Sequence, residues 1–438
     1  MELLKAFECE CGKIHDAAVE EALVGEGMLY SLPEMLTDYS IRRPFILSDK
    51  NTERAAGERV KGILSECGFA YAEYVFPESP KPDERAVGSV MMRFDNTCDC
   101  VLTVGSGVLN DLGKLTASVA GLPYFLVATA ASMDGFASDT SAMERDGWKV
   151  SLKTKCATAV IGDTDVLSAA PADYTRAGIG DMMAKIISLA EWKISKIING
   201  EYYCRRVADT MKAAMWDCLN FGEAALAGDA DAVGTVFSGL VLGGVCMNYA
   251  GVSRPASGTE HYVSHLYDMR GLDKGTPVNS HGVQCALGVR LAAAAYEKLR
   301  DLKPDRESAL AFVKNFDREA WFAELRAFVG KAAESMIAAE TADKKYDPAC
   351  HEARLESILA HWDEIRQVIC EDVPTLAETD ALLDRFGLPK TPEEAGIETF
   401  SPDLLLKLCA DVRNKYILPR LMFDLGVRDT VSVGGLWK

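Results

Sequence analysis

Histidine is scarce in this chain, with six among 438 residues, and basic residues are outnumbered by acidic ones, 47 Lys and Arg against 65 Asp and Glu. The resulting charge of −18 and isoelectric point near 4.9 weigh against nucleic acid or an anionic membrane as partners, because the overall field repels polyanions; a few local cations still suffice for a small phosphate. No basic start followed by an apolar run marks a signal peptide. The longest apolar stretch, Val236 to Val252, is too short, too glycine-rich and too polar at Asn248 to span a bilayer, and reads as a buried helix with no membrane span. The thirteen cysteines are scattered rather than framed, which fits a reducing, cytoplasmic setting. Internal repeats and low-complexity tracts are absent as well. What remains is an acidic chain long enough for two cores.

The first third alternates strand and helix. Pro44 to Leu47 reads as a strand, Ser48 to Asn51 as a turn, and a helix follows; Val101 to Val104, a glycine turn, the helix Leu109 to Val119 and the strand Tyr124 to Ala128 repeat the pattern. Such spacing implies a parallel sheet with right-handed crossovers. Beyond about residue 165 helical periodicity takes over, so the expected architecture is an α/β, Rossmann-like domain over residues 1–165 and an all-α domain over 166–438, hinged in APADYTRAGIG, residues 170–180.

Three strand-end loops carry polar groups suited to a dinucleotide. In VGSGVLNDLGK, Gly105 and Gly107 let backbone approach a pyrophosphate at a helix N-terminus, with Ser106 adding a hydroxyl, although the pattern is not GxGxxG and a plain turn is an equal reading. Asp49 ends its strand where a carboxylate accepts ribose hydroxyls and repels a 2′-phosphate, favouring NADH; the alternative is a helix-capping Asp. VATAASMDGFASD gathers Thr129, Ser132, Asp134 and Ser138 among small residues, giving directional contacts to ribose or polyol groups, or simply a structural turn.

Three of the six histidines fall in GTEHYVSHLYDMRGLDKGTPVNSHG, residues 258–282. His261 and His265, four apart, share a helix face, and His281 arrives from the next element. Asp181, directly after two glycines, reads as an acid in the first turn of a helix, favoured there by the dipole; taken with the imidazoles it offers the carboxylate of a first shell for one divalent ion, Zn²⁺ or another borderline metal. Cys9, Cys11 and His15 in CECGKIH offer a second, smaller set of ligands or ordinary reduced thiols.

The stretches TVGSGVLNDLGKL, ATAASMDGFAS, AGIGDMMAK, SRPASGTEHYVSH and SHGVQCALG together resemble the sn-glycerol-1-phosphate dehydrogenase family, within the iron-containing alcohol dehydrogenase and dehydroquinate synthase-like superfamily, over roughly residues 40–295. The resemblance implies a dehydroquinate synthase-like fold and a metal (Zn, alternatively Ni or Fe) held by Asp181, His261 and His281. It also implies substrate contacts from Asp134 and His265, and an NAD(H) or NADP(H) site lined by Gly105 to Asn110, Thr129 to Ser132 and Ser138. A homodimer is implied by the same likeness. GSGV stands where many relatives have GGGS, and Met133 where a histidine is common. Asp181, where the dehydroquinate synthase branch usually has glutamate, weighs against cyclase chemistry.

The implied reaction is reversible reduction of dihydroxyacetone phosphate to sn-glycerol 1-phosphate; Arg254 and Lys185, near the site in sequence, are candidate cations for the phosphate, with solvated surface groups as the alternative reading. A polyol dehydrogenase acting on unphosphorylated glycerol, a cyclase that recycles nicotinamide, and a non-catalytic nucleotide-binding protein are the competing readings.

Overall fold

A computed structural model describes residues 5–146 and 148–438. It divides into two compact units, one built from the chain up to Met182 together with Asp209–Val252, the other from Met183–Ala208 and Ser253–Lys438. The division therefore differs from a single cut at residue 165: the helix Ala230–Ala250, far along the chain, packs with the sheet, because its apolar surface is what covers that side. Residues 170–180 are not a hinge loop either; the helix Ala172–Met183 runs through them.

In the first unit a short hairpin, β1 (Phe7–Glu8) and β2 (Ile14–His15), precedes the main strands. These are β3 (Glu21–Gly25), β4 (Pro44–Asp49), β5 (Ala72–Phe76), β6 (Cys100–Gly105) and β7 (Tyr124–Ala128), then an antiparallel pair β8 (Thr140–Arg145) and β9 (Trp148–Lys153), and finally β10 (Ala159–Asp163). Six of them form one parallel sheet in the order β3-β10-β7-β6-β4-β5. The central strands are buried throughout, Ile46, Leu102 and Val127 in a core on one face and Phe45 and Leu47 in a second core, as expected for a sheet covered on both sides. From β4 the chain goes outward to β5 and then back across to β6, so the order reverses between β4 and β6, the kind of switch point at whose carboxyl ends open α/β sheets bind ligands.

The helix Ala230–Ala250 is long and apolar enough to cross a bilayer, but 67% of its most apolar window is buried within the chain. Its glycines explain the fit. A Cβ on Gly244 would lie 2.8 Å from the carbonyl carbon of Ala137, and one on Gly243 would lie 3.1 Å from Cβ of Asp134.

Every described element assigned wholly to the second unit is helical. Its centre is the pair Thr259–Lys274 and His281–Leu299. A Cβ on Gly288 would sit 2.5 Å from the carbonyl oxygen of Glu260, so the missing side chain lets the second helix approach the first at the level of its leading turn.

Candidate metal and dinucleotide site

The carboxyl edge of the sheet lines up the loops singled out in the sequence. Asp49 ends β4, Gly105 ends β6, and Thr129 follows β7, its N–H donating to the Gly105 carbonyl at 3.1 Å. Ser106 is the N-cap of the helix Gly107–Ala120 and makes no side-chain cap bond, while a Cβ on Gly107 would meet nothing within 4 Å. Open space thus lies at the positive end of a four-turn helix, as an approaching pyrophosphate needs.

Two of the expected cofactor contacts also have partners within the fold. Asn110 is fully buried; its amide donates to the Gly135 carbonyl at 3.2 Å and its oxygen accepts from the Tyr124 hydroxyl at 3.0 Å. It also holds the loop that begins at Gly135. Asp49 takes the capping alternative, Oδ1 accepting from the N–H groups of Asn51 and Thr52 at 2.9 Å and Oδ2 from the Ser79 hydroxyl at 2.8 Å. Ser132 is partly exposed. Ser138 is buried, its hydroxyl 3.1 Å from the Gly135 carbonyl and accepting from Lys114 Nζ at 3.2 Å.

Lys114 was not anticipated. Fully buried, its ammonium also donates to the carbonyls of Gly135 and Thr140 and pairs with Asp111 Oδ1 at 3.0 Å. One cation thereby gathers both ends of the 135–140 loop. Its place in the fourth position after the asparagine of GVLNDLGK, on the same helix face, was the only signal available.

Asp134 and Asp181 meet within the first unit. The Asp134 backbone N–H donates to Asp181 Oδ2 at 2.9 Å, and the helix carrying Asp181 can come this near because a Cβ on Gly178 would stand 2.2 Å from the Ala131 carbonyl oxygen. Asp181 lies in the last turn of Ala172–Met183, not the first. The dipole reading is reversed: a fully buried carboxylate at the negative end of a helix is stabilised by a cation, not by the helix itself.

In the second unit the three imidazoles come together as expected. The ring centroids of His261 and His281 are 4.9 Å apart and those of His265 and His281 are 6.2 Å apart. Each of the first two is oriented through Nδ1. His261 Nδ1 lies 2.9 Å from Glu260 Oε1, an oxygen that also accepts from the Gly258 N–H at 2.6 Å; a proton on Nδ1 satisfies that acceptor and leaves the lone pair on Nε2. His281 Nδ1 lies 2.9 Å from Ser264 Oγ, which also accepts from Gln284 Nε2 at 3.2 Å. Both imidazoles stand in the first turn of a helix. The buried thiol of Cys285 belongs to the same group: candidate ligand atoms of His261, His281 and Cys285 lie within 4.8 Å of one another. Two Nδ1-anchored imidazoles with a thiol beside them suit a borderline divalent ion, and the donor set fits.

Behind Glu260 lies Glu191, both fully buried, converging on Gly258. Burial pushes the Glu191 carboxyl up to about 7, with the Glu260 charge adding to the shift. Arg254 and Lys185, candidates for the substrate phosphate, are committed internally: Arg254 pairs with Glu201 at 2.8 and 2.5 Å and Lys185 donates to the Ala256 carbonyl at 3.2 Å. Lys415, unremarked in the sequence, donates to the Ser257 carbonyl at 2.9 Å and lies 5.9 Å from the Tyr262 ring, itself 6.3 Å from His265. Burial pushes its ammonium down to about 7, Arg254 and Arg413 adding to the shift and Glu260 and Glu191 opposing it.

Residues 23–171 match the family of iron-containing alcohol dehydrogenases. The glycerol-1-phosphate dehydrogenase (NAD(P)+) of Halalkalibacterium halodurans is 31% identical over 297 residues, 67% of this chain and 74% of that protein. The enzyme of the same name from Geobacillus thermodenitrificans is 28% identical over 406 residues, 92% of this chain and 91% of its own, so the likeness extends into the helical tail. The crystal structure of glycerol dehydrogenase from Schizosaccharomyces pombe shares the fold, with a TM-score of 0.63, 14% identity, and coverage of 96% of this chain and 90% of that one.

Proposed function

We propose that this chain, which belongs to the glycerol-1-phosphate dehydrogenase family of iron-containing alcohol dehydrogenases, reduces dihydroxyacetone phosphate reversibly to sn-glycerol 1-phosphate at the expense of NADH or NADPH. The observation that carries the reading is the pair of imidazoles turned by Glu260 and Ser264, Nδ1 tied in each. With Asp181 they would hold one divalent ion, zinc first and nickel or iron as alternatives. When bound, the nicotinamide supplies the hydride and the ion a Lewis-acid charge at the C2 carbonyl oxygen.

The chain's own residues position and protonate. The turn Gly105 to Gly107 receives the pyrophosphate, and Thr129, Ser132 and Ser138 border the same edge; Asp49, steadied by Ser79, is placed for the adenosine ribose. Asp134 accepts from substrate hydroxyls while its N–H steadies Asp181. His265, partly exposed, passes a proton between solvent and the C2 oxygen. Lys415, held only by carbonyls and partly exposed, is the cation we assign to the phosphate, since Arg254 is paired with Glu201 and Lys185 is fully buried. Lys415→Met is expected to raise KM for dihydroxyacetone phosphate while sparing free dihydroxyacetone. The product would supply a glycerol phosphate backbone for phospholipid synthesis, in a cytoplasmic homodimer.

The test is a 340 nm assay of metal-loaded protein with dihydroxyacetone phosphate and each reduced cofactor, followed by chiral analysis of the product. Asp181→Asn and His281→Ala should each lose turnover together with one equivalent of bound metal. Full activity in either variant refutes the assignment, and better turnover of unphosphorylated glycerol would transfer it to a polyol dehydrogenase.

A further inference from the structure

We propose that Cys9, Cys11 and His15 form a second metal site, a structural zinc clip at the N-terminal hairpin. Candidate ligand atoms of these three residues lie within 4.8 Å of one another. Cys11 Sγ and His15 Nε2 are 3.3 Å apart. Tetrahedral zinc with sulfur at about 2.3 Å and nitrogen at about 2.05 Å separates those two atoms by roughly 3.5 Å, so the pair needs almost no movement to share an ion.

The imidazole is already turned for the purpose. His15 is fully buried, and its Nδ1 lies 2.8 Å from the Tyr249 carbonyl oxygen. A carbonyl only accepts, so Nδ1 carries the proton and the Nε2 lone pair faces the thiols, the arrangement that fixes the tautomer of metal-bound histidine. The Phe7 and Tyr249 rings pack at 5.1 and 5.6 Å from the imidazole and hold its plane.

The hairpin also requires such a fastening. Its strands are two residues each, and its turn is closed by Gly12 N–H to the Cys9 carbonyl at 3.0 Å and Cys9 N–H to the Lys13 carbonyl at 3.1 Å. A two-stranded ribbon of that length is marginal in water, and metal binding supplies folding free energy directly. Two thiolates and a neutral imidazole on Zn²⁺ make a neutral group, which spares the cost of a buried net charge. Thiolate sulfur favours zinc over the hard cations. Tyr249 belongs to the helix Ala230–Ala250, whose glycines abut the Asp134 loop, so the clip would tie the start of the chain to the helix that backs that loop.

The full-length protein, purified without chelator, is assayed for zinc and then reconstituted with Co²⁺. The expected result is a thiolate-to-cobalt charge-transfer band that persists in Asp181→Asn and vanishes in the double variant Cys9→Ser/Cys11→Ser, with zinc content falling by one equivalent per chain. A band that survives the double variant and disappears in Cys285→Ser, or an unchanged zinc content, overturns the proposal. Should the double variant fail to fold, wild-type protein decides: mass-spectrometric mapping of iodoacetamide labelling should show Cys9 and Cys11 protected until a chelator is added. Equal labelling with and without chelator overturns the proposal.

Discussion

Alanine at Gly244 adds one methyl group against backbone. The new Cβ would stand 2.8 Å from the Ala137 carbonyl carbon and 3.0 Å from its Cα, where carbon atoms pack at about 3.5–4.0 Å. The methyl is fixed to the helix backbone and meets main chain, so neither side can swing aside, and Asn248, one turn later, pins the same Ala137 carbonyl at 2.7 Å. Helix and loop must therefore separate by about 0.7 Å or more. Overpacking of this kind costs about 1–3 kcal/mol, or about 1 °C of Tm for each kcal/mol at this size. Because the loop carries Asp134, displacement approaching 1 Å is expected to lower kcat by up to about 100-fold. Gly62→Ala is the control: the same methyl at an exposed helix position, with nothing within 4 Å, should stabilise by about 0.5–1 kcal/mol. Calorimetry and steady-state hydride transfer on both variants test the reasoning. If Gly244→Ala melts no earlier than Gly62→Ala and keeps its kcat, the close approach does not position the loop.

Ser264→Ala removes the partner of His281 Nδ1 without disturbing a helix that tolerates alanine; metal affinity should fall about 10–100-fold in competition with a chelator, and unchanged affinity would show that Ser264 does not orient the ring. Glu191, raised from 4.5 to about 7 by burial with Glu260 adding to it, binds its proton more tightly folded than unfolded. Its contribution to stability is full below 4.5 and lost as pH rises through about 7, a difference of roughly 3 kcal/mol at most. Denaturant unfolding across that window should show stability declining more steeply with pH in the parent chain than in Glu191→Gln; parallel profiles would contradict the shift.

Much of this protein is written locally. The strand Tyr124–Ala128 and the glycine turn after β6 follow from hydrophobic runs punctuated by turn residues, and the grouping of His261, His265 and His281 follows from spacing along two neighbouring helices. The family too was legible, because SRPASGTEH and its companion stretches are contiguous in the chain. Other features depend on residues far apart in sequence. That Asp181 ends a helix, that Asn110 holds a loop 25 residues away, and that the helix Ala230–Ala250 returns to the sheet unit are decided by packing. So are the commitments of Arg254 and Lys185. A sequence records which groups are available, but a buried charge or amide takes whichever partner the fold delivers, and in this chain that delivery turns on glycines at 178, 244 and 288, where backbones approach more closely than any Cβ would allow.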